Sequence, residues 1–120
     1  MKTKLYHLEV KIQAANLGFY KELLTFLGWA PIYETDGMIG LASGDDGASL
    51  WFVSPATNVR NDYDGPGVNH IAIGTETQSD VDAAATYLAD HGIAALFETP
   101  RHRPEFSSRE GQTYYQVMFE

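Results

Sequence analysis

The chain has 120 residues, 44% of them apolar, which suits one compact domain or two small modules and is too apolar for a disordered segment. No apolar run approaches the roughly 20 residues of a membrane helix, and the N-terminus lacks the apolar stretch of a signal peptide, so a cytoplasmic protein without a membrane partner is expected. The absence of cysteine excludes disulfides, thiolate metal sites and cysteine nucleophiles, and a formal charge of −8 argues against a nucleic-acid partner while permitting a cationic ligand.

In chain order, Tyr6-His7-Leu8-Glu9-Val10 alternates as a strand does. Asn16 is a candidate helix cap, Phe19 to Leu27 has apolar residues at helical spacing, and Gly28 sits where a left-handed residue would stop the helix. Strands are expected at Ala30 to Asp36, Met38 to Ala42 and Ala48 to Val53, with Gly44-Asp45-Asp46-Gly47 as a turn. A stretch rich in Pro, Gly, Asn and Asp then reads as a linker. Beyond it come a strand at Asn69 to Ile73, a cap at Ser79, an Ala-rich helix at Val81 to Ala89 and a stop at Gly92. Further strands are expected at Ala94 to Thr99 and Tyr114 to Phe119.

The two series match. His7 and His70 lie 63 positions apart, as do Asn16 and Ser79, and Ala30 to Asp36 aligns without a gap on Ala94 to Pro100. Histidine strand, cap, helix-stopping glycine (Gly28, Gly92) and Glu-Thr segment recurring in one order indicate an internal duplication. The expected fold class is α+β, built from two βαβββ modules: module one at 1–56, a linker at 57–66 and module two at 67–120. Module two lacks its final strand, either because the chain stops short or because another segment fills that edge.

Alternation puts His7 and Glu9 on one face of their strand, opposite Leu8 and Val10, and puts His70 opposite Ile71 and Ile73. The apolar faces suit packing beneath the helices, which leaves both histidines on the other side of the sheet. Imidazole nitrogen is a good ligand for divalent transition metals, and two histidines with one carboxylate leave coordination positions open for a substrate. Histidines inherited by duplication and satisfied by ordinary hydrogen bonds are the bland alternative.

The pattern resembles the vicinal oxygen chelate superfamily, which includes glyoxalase I, bleomycin-binding proteins and extradiol dioxygenases. The resemblance rests on Tyr6 to Val10, on Phe19 to Leu24 followed by Leu27-Gly28-Trp29, on Val68 to Ile73 and on Tyr114 to Phe119. It implies a cupped mixed sheet with the helices on its outer face, and a divalent ion (Zn, Mn, Ni or Fe) ligated by residues of first and last strands. His7 and His70 match the first-strand ligand positions. Trp51 stands where several members carry a glutamate or glutamine, which counts against a four-ligand site.

Arg101, Arg103 and Arg109 cluster with His102 in one segment that could hold an anionic group of a substrate. Glu9, Trp51, Tyr115, Arg101 and Arg103 are therefore the candidate substrate contacts, and His7 and His70 the candidate metal ligands. The resemblance implies a metal-dependent enzyme acting on a small molecule that chelates the ion through neighbouring oxygens. Whether as lyase, isomerase, transferase or dioxygenase stays open. Its rival is a non-catalytic small-molecule binding protein of the bleomycin-resistance type, which Trp51 and the acidic charge favour. A homodimer is expected on either reading.

Overall fold

The computed structural model describes residues 1–120, which divide into two compact units, Met1–Asp62 and Tyr63–Glu120, meeting within the linker segment.

The first unit is a complete βαβββ module. Strand β1 (His7–Lys11) leads through a short 3₁₀ turn into helix α1 (Leu17–Phe26), followed by β2 (Ala30–Thr35), β3 (Met38–Ala42) and β4 (Ser49–Val53). The sheet order is β1-β4-β3-β2, with β1 parallel to β4 and the other two pairs antiparallel. Each expected strand and the helix appear within about two residues of their expected limits.

Alternation sorts these strands into two faces. Ile39 and Leu41 of β3, and Leu50 and Phe52 of β4, point to the side that α1 covers with Leu17 and Leu24. Leu8, Val10, Tyr20, Leu27 and Trp29 pack around this core, and the rings of Tyr20 and Phe52 stack with centroids 4.5 Å apart. Burial of these side chains stabilises the unit by roughly 1.5–3 kcal/mol each before conformational entropy is subtracted. The opposite sheet face is left for the site described below.

The second unit carries helix α2 (Gln78–Asp90) and a two-residue antiparallel ladder of β5 (Arg101–His102) with β6 (Tyr115–Gln116). Three sequence expectations need correction here. Asn69 to Ile73 joins no ladder, and the strand expected at Tyr114 to Phe119 shrinks to Tyr115–Gln116. Ala94 to Thr99 is not a strand but leads into a turn, with Phe97 and Glu98 at φ of 56° and 57°. The cause of the last difference lies in Thr99, whose hydroxyl donates to the Leu96 carbonyl at 2.6 Å and accepts the Met118 N–H at 2.9 Å. Such local side-chain bonds compete with ladder pairing for the same backbone groups.

The helix signals fare better. Both helices stop by the same device: Gly28 and Gly92 adopt φ of 87° and 72°. The N–H of Trp29 reaches the Leu24 carbonyl at 2.9 Å, and that of Ile93 reaches Leu88 at 2.9 Å. This is the C-terminal motif in which a left-handed glycine turns the chain back on the last carbonyls. The N-terminus of α2 differs from expectation, since Thr77, not Ser79, is the cap. Its hydroxyl accepts the Asp80 N–H while the Asp80 carboxylate accepts the Thr77 N–H, a closed capping box. At Asn16 no side-chain capping bond forms. No helix is long and apolar enough to cross a membrane.

Candidate functional site

The sheet face not covered by α1 forms the floor of an open cavity of about 610 Å³ in the first unit. Its position follows from strand alternation. His7 and Glu9 of β1 project into it from the face opposite the core, as do Ser49 and Trp51 of β4. Ala42 of β3 and Ala30 and Ile32 of β2 extend the floor, and Lys4, Tyr6 and the turn at Gly44–Gly47 form a rim.

Pairing between strands sets the spacing. His7 lies across from Ser49 and Glu9 across from Trp51, while Trp51 in turn faces Gly40 on β3. The Trp51 indole lies against Gly40, where a β-carbon would sit 2.9 Å from ring atoms Cε3 and Cζ3. Its Nε1–H donates to Ser49 Oγ at 3.0 Å. Tyr33 adds a second ring, tilted by 40° with centroids 5.7 Å apart.

His7 is exposed, meets Tyr6 edge to face at 6.0 Å, and has no hydrogen-bond partner at either ring nitrogen. Glu9 pairs with Lys11 at 3.2 Å, both side chains being more than half exposed, so the pair contributes little to stability. The Lys4 ammonium donates to the Asp46 carbonyl at 3.2 Å and ties the N-terminal segment to the rim. The cavity lining carries three carboxylates, Glu9, Asp45 and Asp46, against the single lysine. Its field favours cations.

The other sequence-derived candidates lie in the second unit. His70 is exposed, with Nδ1 2.9 Å from its neighbour Asn69 Oδ1. Arg101 pairs with Glu98 at 3.2 Å. Arg103 pairs with Glu105 at 2.6 Å and lies over the Phe106 ring at 4.6 Å. A hydrogen bond from its own backbone N–H and the Arg103 guanidinium hold the Glu105 carboxyl below the usual range. The Tyr115 hydroxyl donates to Asp82 at 2.6 Å, and this bond pushes its pKa up. The basic segment thus carries its own counter-charges, which weakens it as an anion cradle.

Among the candidates, His7, Glu9 and Trp51 come together. Sequence reasoning passed over Gly40, Ser49 and Tyr33, although alternation already places Ser49 beside Trp51 on one face. Within either unit, no three His, Asp or Glu side chains gather as a ligand set for a metal ion. On the first unit's floor the position across from Glu9 is an indole, which offers no donor to a metal. The donor set of the first unit's floor does not fit a metal centre by itself.

The family model of the Glyoxalase/Bleomycin resistance protein/Dioxygenase superfamily matches residues 5–111. Among solved structures, a candidate glyoxalase from Bacillus halodurans superposes with a TM-score of 0.77 at 21% identity, over 97% of this chain and 86% of that one. An integron cassette protein from the mobile metagenome of V. cholerae superposes with a TM-score of 0.53 at 17% identity, over 99% of this chain and 87% of that one. At such identities these likenesses speak for the fold alone. No curated protein matches the chain. A sequence match over most of the length, a complete βαβββ unit with its helix on one sheet face, and the superposition on a glyoxalase-like structure lead to one conclusion: the chain belongs to the Glyoxalase/Bleomycin resistance protein/Dioxygenase superfamily.

Proposed function

We propose that the chain is a small-molecule binding protein whose ligand is an organic cation held on the open sheet face of the first unit. The observation that carries this reading is the cavity itself, about 610 Å³, with an indole and Glu9 on its floor and Asp45 and Asp46 in its rim. That volume is of the order that takes a drug-sized molecule, and carboxylates beside an aromatic face attract a cation in two ways, by charge and by the ring quadrupole. The formal charge of −8 adds long-range attraction of the same sign. Calorimetric titration with the aliphatic polycation spermidine and the aromatic cation proflavine tests the reading. Both should bind, and Glu9→Gln and the double variant Asp45→Asn/Asp46→Asn should each weaken both by roughly threefold or more. Failure of both cations to bind, or equal binding by these variants, would overturn it.

A second reading, a metal-dependent enzyme, is favoured by one observation: the His7 ring lines the cavity, and the duplication supplies a second histidine at His70. The superfamily is generally metal-dependent, and on this reading His7 and His70 would be ligands, with Glu9, Arg101, Arg103 and Tyr115 available to a substrate. Titration with Zn²⁺, Mn²⁺, Ni²⁺ and Fe²⁺ discriminates. Tight binding that disappears in both His7→Ala and His70→Ala would put this reading first.

A further inference from the structure

We infer that Gly40 and Ser49 are specificity-determining residues that hold Trp51 flat as a stacking platform, so that the cavity selects planar aromatic cations over aliphatic ones. This inference rests on the small-molecule reading above and narrows its ligand class.

The physical case begins with the neighbour of Trp51 across the β3–β4 ladder, Gly40. With no side chain at Gly40, the six-membered ring of the indole rests on bare backbone. A β-carbon there would stand 2.9 Å from Cε3 and Cζ3, a distance β-carbons essentially never show, and 3.0 Å from Cδ2. Gly40 is buried in an inner strand of its unit's sheet, where glycine weakens a strand because it packs no side chain and loses more chain entropy. A glycine at such a place marks a close approach, and here the approaching group is the indole.

Ser49 supplies the second restraint. Its hydroxyl accepts the indole Nε1–H at 3.0 Å from two residues away on the same strand face, which fixes the rotation of the ring about its attachment. Tyr33 stands beside the platform at 5.7 Å, tilted by 40°. One ring face is thus covered by backbone while the side chain still lines the cavity. An immobilised indole presents its π-surface to a ligand ring without losing rotamer freedom on binding, and stacking rewards flat ligands specifically. Glu9, across from Trp51 on the adjacent strand, places a carboxylate at the platform's edge, shared there with Lys11 at 3.2 Å.

The test compares proflavine with spermidine on the full chain by calorimetry, together with the near-ultraviolet circular dichroism of the tryptophans. Gly40→Ala must displace the ring, and Ser49→Ala removes its hydrogen bond without adding bulk. Both should weaken proflavine binding, by about tenfold and about threefold respectively, with a changed tryptophan signal and a smaller loss of spermidine affinity. Ser49→Thr should restore proflavine binding. Trp51→Leu should abolish the preference for proflavine. Should Gly40→Ala fail to fold, the Ser49 pair decides alone. Equal proflavine affinity in wild type and Ser49→Ala, or a parallel loss of spermidine binding, overturns the platform while leaving the cationic cavity standing. Absence of both ligands from the wild-type protein overturns the two together.

Discussion

Thr99 is buried in the second unit, where its one hydroxyl donates to Leu96 and accepts from the Met118 backbone, while the Leu96 N–H reaches the Met118 carbonyl at 2.8 Å. These bonds join the turn after α2 to the C-terminal segment. Thr99→Val keeps the shape but leaves the Met118 N–H without its acceptor, a loss of about 1–3 kcal/mol. Chemical denaturation should show that loss, and Thr99→Ser should recover part of it; a Thr99→Val midpoint equal to wild type would remove Thr99 from its structural role. The residue also shows where sequence legibility ends. Glu98-Thr99 aligns with Glu34-Thr35, yet Thr35 ends a strand and Thr99 closes a turn. Identity at two aligned positions carries no information about which hydrogen bonds the chain makes with distant segments.

At the scale of elements, the capping box of α2 makes a pH-dependent contribution. Hydrogen bonds from the Thr77 side chain and backbone hold the Asp80 carboxyl below its usual range. A carboxyl whose pKa is lower folded than unfolded stabilises fully above its unfolded value, near pH 4. That stabilisation is lost as pH falls through the folded value. The difference in melting temperature between wild type and Asp80→Asn should therefore be largest near pH 6 and shrink toward about pH 2. A difference that stays constant over that range would show that the carboxylate charge plays no part. Helix stops were legible as Gly28 and Gly92 because a left-handed residue demands glycine locally. The cap of α2 was less legible, since Thr77, Ser79 and Asp80 all suit a helix start and only backbone geometry chooses among them.

For the whole molecule, the segment around His70 raises the question of assembly. Val68, Ile71 and Ile73 stand 59%, 43% and 36% exposed on a stretch that pairs with no strand. Unpaired backbone beside exposed apolar side chains favours association, and a homodimer through this segment is the expected outcome. Sedimentation equilibrium should give twice the 13.3 kDa chain mass, and Val68→Lys/Ile71→Lys should shift the species toward monomer. A monomer at every concentration would rule the dimer out.

The sequence by itself determined the α+β class, the first module strand by strand, the two glycine-stopped helices and the face that His7 and Glu9 share. All of these follow from period-two alternation, helical spacing and turn chemistry, which act between neighbours in the chain. Tertiary structure alone decided that the second half builds only a two-residue ladder, that Arg101 and Arg103 are matched by nearby glutamates, and that Gly40 lies beneath the Trp51 ring. Those outcomes depend on which groups meet across strands and turns. The register that sets such meetings is a property of paired segments, absent from either segment read singly.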